Sequence, residues 1–84
     1  YQFNRYDAQA FKLLVRSETV SDVIMFEIMG TVKGGSTYVT TSGYIGSSTQ
    51  LASLSRFYID GDLAKLELNL AAGSTTTIYK LAEF

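Results

Sequence analysis

Asp60-Gly61-Asp62 sets two carboxylates two residues apart, and a carboxylate pair is the simplest equipment for acid/base hydrolysis. The same tripeptide offers oxygens to a cation, but a calcium site takes six to eight of them, and the further Asp/Asn and the distant Glu of an EF-hand loop are missing. Asp-Gly is also a strong two-residue hairpin turn, and that reading is preferred here. Lys33-Gly34-Gly35-Ser36 has the glycines and lysine of a phosphate loop in the wrong order. A phosphate loop carries its lysine after the second glycine and ahead of a helix. Serines are abundant, yet nucleophilic catalysis needs a positioned base, and the chain has no histidine. Lys12, Lys33, Lys65 and Lys80 are the remaining bases for a Ser-Lys arrangement, and none stands at a recognised spacing from a serine. No enzyme activity, cofactor or metal is expected.

The aromatic residues offer a different chemistry. Tyr38, Tyr44 and Tyr58 lie among hydroxyl residues, where exposed rings stack on sugars; they are the candidate glycan platforms. Tyr1, Phe3, Tyr6 and Phe84 crowd the two ends of the chain, where residues are ordinarily wet and loose. With Met25 and Met29 they form the candidate interface set. The bland alternative is that each ring packs on its own sheet and wets only its hydroxyl.

Composition narrows the elements that could position these groups. Eighty-four residues form one domain at most, and a chain of this size has a thin core. Without cysteine or histidine it has neither disulfide nor thiolate or imidazole metal staple, so association with copies of itself or other subunits is the expected source of further burial. Net charge is −1 with the basic residues scattered, which writes no nucleic-acid stripe. No apolar run approaches the roughly 18–20 residues of a membrane span, and Tyr1-Gln2-Phe3-Asn4-Arg5 lacks the order of a signal peptide.

Period-two alternation recurs along the chain. Leu66, Leu68 and Leu70 alternate with Lys65, Glu67 and Asn69, the pattern of a strand with one buried and one wet face. Phe11, Leu13 and Val15 do the same, although Ala8 to Leu14 also suits a helix start. Glu27 marks an outward position that turns Ile24, Phe26 and Ile28 inward and leaves Met25 and Met29 on its own face. Lys33 to Ser36 reads as a hairpin loop before the return strand Thr37 to Ser42. Gly43 and Gly46 bracket a bend or bulge. Leu51 to Ile59 alternates only near its end, and Thr75 to Ala82 is a last strand.

The sum is an all-β antiparallel sandwich, jelly-roll-like, of about seven or eight short strands. Residues 1–10 are an N-terminal arm or extra strand, and 11–84 are the sandwich domain. The expected core is Phe11, Leu13, Val15, Ile24, Phe26, Ile28, Phe57, Ile59, Leu66, Leu68, Leu70 and Ile78.

From Phe11 onward the chain resembles a small β-sandwich module of virion structural and tail-fibre proteins of tailed bacteriophages, particularly those infecting marine cyanobacteria. The resemblance runs through Lys12-Leu13-Leu14-Val15, Val23 to Ile28, and Gly35-Ser36-Thr37-Tyr38-Val39-Thr40, the closest block. It continues through Gly43, Gly46 to Ala52, Phe57 to Gly61, Leu63 to Leu70 and Ala72 to Lys80. Val32-Lys33-Gly34 stands where the family often has His-Asp or His-Asn before its glycine loop. The resemblance implies a non-enzymatic structural module of a virion, in a fibre, tail, neck or capsid decoration, and the module is expected to dock on other subunits through its sheet edges and aromatic termini. Its implied partners are other virion proteins and copies of itself, with a host surface glycan as the alternative ligand.

Overall fold

In the computed structural model, which describes all 84 residues, every alternating segment is a strand. The strands are β1 (Gln2–Asn4), β2 (Ala10–Glu18), β3 (Val23–Lys33), β4 (Ser36–Gly46), β5 (Ala52–Asp60), β6 (Leu63–Leu70) and β7 (Thr75–Glu83). They form two antiparallel sheets, one ordered β4-β3-β2-β7 and one ordered β1-β6-β5, packed face to face as a β-sandwich. β2, β3 and β4 form a meander, and β7 returns beside β2 after the other sheet has been built, a Greek-key connection. There is no helix, hence none long and apolar enough to cross a membrane.

The turns are where glycine permits them. Lys33 pairs with Ser36 across Gly34-Gly35, with Gly34 at φ 59°, and Asp60 pairs with Leu63 across Gly61-Asp62, with Gly61 at φ 60°. Asp60-Gly61-Asp62 is therefore a hairpin turn. β2 is a strand along its whole length, so the helix-friendly residues at its start are overridden by pairing with β3 and β7.

Two irregular stretches of sequence are bulges. The ladder between β5 and β6 shifts between Leu54 and Arg56, so Ser55 is an extra residue and alternation fails there. Between β3 and β4 the shift lies at Met25/Glu27, where Gly43 and Tyr44 together oppose Phe26. The Tyr44 ring therefore turns to the inner face and stacks on Phe26, with centroids 4.8 Å apart.

Phe11, Leu13, Val15, Ile24, Phe26, Ile28, Phe57 and Leu66 form the expected core, joined by Phe3, Ala8, Val32, Leu51, Ala52 and Ala64. Phe3 and Ala8 make residues 1–10 part of the sandwich, with β1 as an edge strand of the three-stranded sheet. Four expected core residues differ. Ile59 and Leu68 are half-buried, Leu70 is 52% exposed and Ile78 is 37% exposed. Leu68, Leu70 and Ile78 face inward as their alternation requires, but their side of the sandwich is open. β1 spans only three residues, and its pairing with β6 ends where Tyr1 and Leu66 exchange backbone hydrogen bonds of 2.8 and 3.3 Å. Beyond that point no strand covers Leu70 and Ile78.

The sheets are locked by an aromatic cluster at the β1 end. Phe11 of one sheet meets Phe57 edge-on at 5.1 Å, Tyr1 at 5.4 Å and Phe3 at 5.8 Å. Gly30 pairs with Phe11, and a Cβ placed on Gly30 would lie 2.5 Å from the Phe11 ring. The missing side chain is the space that the ring occupies.

Gly30→Ala is expected to lower stability by about 1–3 kcal/mol through this overpacking. Gly35→Ala, whose Cβ would meet nothing within 4 Å, is the neutral control. Urea melts of the two variants compare them directly; equal midpoints would contradict the packing account.

Candidate functional site: the outer face of the four-stranded sheet

The outward residues of β7, β2, β3 and β4 line up in transverse rows. Register places Ala82, Lys12, Met29 and Thr40 in one row. The next row holds Phe84, Ala10, Thr31 and Tyr38, since Phe84 exchanges backbone hydrogen bonds of 2.7 and 2.9 Å with Ala10. In this second row two aromatics flank two small residues. Three strand spacings separate the flanks, about 14 Å. The result is a trough of about 460 Å³ whose floor includes Ala10 and Thr31 and whose walls include Phe84, Tyr38 and Met29. Phe84 is 75% exposed and Met29 47%. Phe84, Met29 and Tyr38 thus expose apolar surface in one place.

Further along, the face becomes charged. Lys12 Nζ lies 3.7 Å from Glu27, and Arg16 lies 3.0 Å from Glu18. Met25 is half-buried in this region, one β-strand face with Met29 but two rows away. Tyr79 lies next to Leu14 on the same surface.

The candidate interface residues thus divide. Met29 and Phe84 share the trough, and Met25 shares its sheet face. Tyr6 is exposed in the loop after β1, with the Arg5 guanidinium 5.2 Å from its ring. Tyr1 and Phe3, expected at an interface with other subunits, pack instead inside their own chain: Phe3 is buried in the core, and Tyr1 is half-buried against Phe3 and Phe11. Short β1 makes this necessary, because its few side chains are needed to cover Phe11.

The candidate glycan tyrosines do not converge. Tyr38 borders the trough, Tyr44 lies over Phe26 on the inner face, and Tyr58 lies on the outer face of the other sheet. One face of the Tyr58 ring is covered by Arg56, 3.9 Å away, and its hydroxyl donates to Glu67 at 2.9 Å. Arg56 also donates to Glu67 at 2.9 and 3.2 Å, which holds the Glu67 carboxyl below the usual carboxylate range. Asp60, one of the paired carboxylates, accepts from Lys65 Nζ at 2.7 Å and is likewise held low.

Ala82 and the floor residues Ala10 and Thr31 were not singled out by sequence reasoning. The usable signal was register: once β2 pairs with both β3 and β7, Lys12 fixes Met29 and Ala82 as neighbours. Phe84 follows β7 by one residue, so its place depends on the bulge that skips Leu81. Against protein-family models, curated proteins and solved structures the chain has no match. Fold and site define an all-β sandwich with an apolar trough on the outer face of its larger sheet.

Burial, with the acceptor Glu83, raises the phenol of Tyr1, and the hydrogen bond to Glu67 raises that of Tyr58. The folded chain holds these protons more tightly than the unfolded chain. Their contribution is complete below the ordinary tyrosine value of about 10 and is lost as pH climbs from there through the raised values. Ultraviolet titration is expected to show two late phenols, one removed by Tyr1→Phe and one by Tyr58→Phe. Uniform ionisation of all six tyrosines would refute both assignments.

Proposed function

We propose that this chain is a non-enzymatic structural module of a phage particle, placed in a fibre, tail, neck or capsid decoration, that docks on neighbouring subunits through the outer face of its four-stranded sheet. The trough between Phe84 and Tyr38 carries this reading: it exposes apolar surface on a rigid, hydrogen-bonded floor, the arrangement suited to receiving a partner's apolar side chain. The ordered blocks from Lys12 to Lys80 that resemble virion modules supply the kind of assembly. Repetition by symmetry multiplies a weak individual contact, so a small module serves well in a particle of many copies.

A host-glycan adhesin is the weaker reading. It asks Tyr38, Tyr44 and Tyr58 for one stacking platform, and they occupy three different surfaces.

Mass spectrometry of density-purified particles is the direct test, with this chain expected at a fixed stoichiometry to the major virion proteins. Its absence from particles made by cells that express it would sink the proposal. Phe84→Ser is expected to leave the circular-dichroism spectrum intact and to reduce incorporation at least tenfold, since an apolar anchor at an interface is worth about 2 kcal/mol or more.

A further inference from the structure

Besides the three-residue edge strand β1, four stretches of strand edge are open in this sandwich, and three of them carry features that discourage pairing with another chain. β7 has Lys80 on its inner side, opposite Leu13, and a bulge at Leu81 that breaks its edge. β5 has a bulge at Ser55 followed by Arg56 and ends on Asp60. The free part of β6 beyond Leu66 is four residues long and begins at Glu67.

β4 differs from all of them. Its 11 residues, Ser36–Gly46, include no charge and no proline. The regular part, Ser36 to Ser42, lies before the bulge and is rich in β-branched and hydroxyl side chains. β4 is tied to β5 of the other sheet by a side chain, the Thr37 hydroxyl donating to Phe57 O, but none of the backbone hydrogen bonds formed outside the ladders involves β4, so its backbone groups that point away from β3 have no backbone partner. The loop that follows does not cover them: Ser47 N–H donates to Val23 O at 2.8 Å and Ser47 Oγ donates to Asp22 at 2.9 Å, which draws the loop towards the β2–β3 turn.

Resting on the structural role proposed above, we infer that β4 is the edge through which two copies of this chain pair, antiparallel about a two-fold axis at Val39, to make a continuous eight-stranded sheet. The segment is self-complementary in that register. Val39 faces itself, Thr37 faces Thr41, Tyr38 faces Thr40, and Ser36 faces Ser42. The outward pairs are aromatic with β-branched and hydroxyl with hydroxyl, combinations that stabilise cross-strand contacts. No charge meets another of the same sign, because the strand has none. Antiparallel pairing also fits the two-fold symmetry of most small homo-oligomers. The trough borders this edge through Tyr38 and Thr40, so pairing would bring two docking surfaces onto one sheet.

Sedimentation equilibrium of the purified chain, from millimolar to micromolar, tests the pairing. The expected mass is twice 9.2 kDa at the upper end, falling towards one copy on dilution. The double variant Ser36→Lys/Ser42→Lys sets like charges opposite each other twice and is expected to weaken the dimer about tenfold, whereas Ser36→Lys/Ser42→Glu sets opposite charges together and is expected to retain it. Both pairs of changes are on exposed positions, and thermal melts of the dilute monomer check that folding is equal. A chain that stays at 9.2 kDa throughout overturns the inference, as does a dimer indifferent to the Lys/Lys variant. Either result leaves the trough and its particle test standing, so the two readings fail separately.

Discussion

The packing of Phe11 against a glycine sets the spacing of this sandwich. Phe11 belongs to the four-stranded sheet, but its ring lies among Phe3 and Phe57 of the other sheet and Tyr1 ahead of it. That placement is available only because Gly30, its cross-strand partner, has no side chain. The aromatic contacts add about 0.5–1.5 kcal/mol each beyond the area they bury. For a chain with no cysteine and no histidine, this cluster takes the place that a disulfide or metal fills in other small domains. It also explains why the N-terminal residues are fixed: Tyr1 and Phe3 complete a core that would otherwise stop at Phe11.

The cluster sits at one end, and the two sheets differ in size. With four strands facing three, one of them a three-residue strand, the smaller sheet cannot cover the larger. The uncovered strip falls on the β6–β7 side, where Leu70 and Ile78 point inward yet remain exposed. On the opposite side, closure is made by β4 and β5, with the Thr37 hydroxyl donating to Phe57 O at 2.8 Å. Inside, the polar exception is Ser17, whose hydroxyl lies 2.9 Å from that of Thr76, so no buried polar side chain lacks a partner.

Apart from β1, where an arm and an extra strand were both open, the strands and turns were legible because each rests on a local signal. Alternation gave β2, β3 and β6, and Asp-Gly and Gly-Gly marked the hairpins. Where local pattern failed, the cause was a bulge: Ser55 shifts the phase of β5, and Gly43 shifts that of β4. Tyr44 shows the consequence, since an even count along β4 would place it outward with Tyr38, and the bulge turns it inward onto Phe26. Leu70 and Ile78 show another limit. Alternation tells which face a residue occupies, but burial depends on whether the opposite sheet extends that far, and this is a property of the length of β1. The trough was legible only in part. Met29 and Phe84 stood out by type, whereas the small residues that make the space between Phe84 and Tyr38 carry no signal until register puts them there.

The polar pairs of this fold tie strands and sheet ends to one another. Glu67 is shared by Arg56 and Tyr58, Asp60 by Lys65, and Glu83 by Tyr1 and Lys80. Each pair spans neighbouring strands or closes a sheet end, and the shifts that result favour the states already dominant at neutral pH. Polar groups are thereby spent on fixing strand positions, while three of the apolar side chains left over after core formation, Met29, Tyr38 and Phe84, gather on one outer face beside an uncharged edge. The trough between Phe84 and Tyr38 and the uncharged edge of β4 therefore lie side by side on the larger sheet, with the trough on the face turned away from the aromatic cluster that holds the two sheets together.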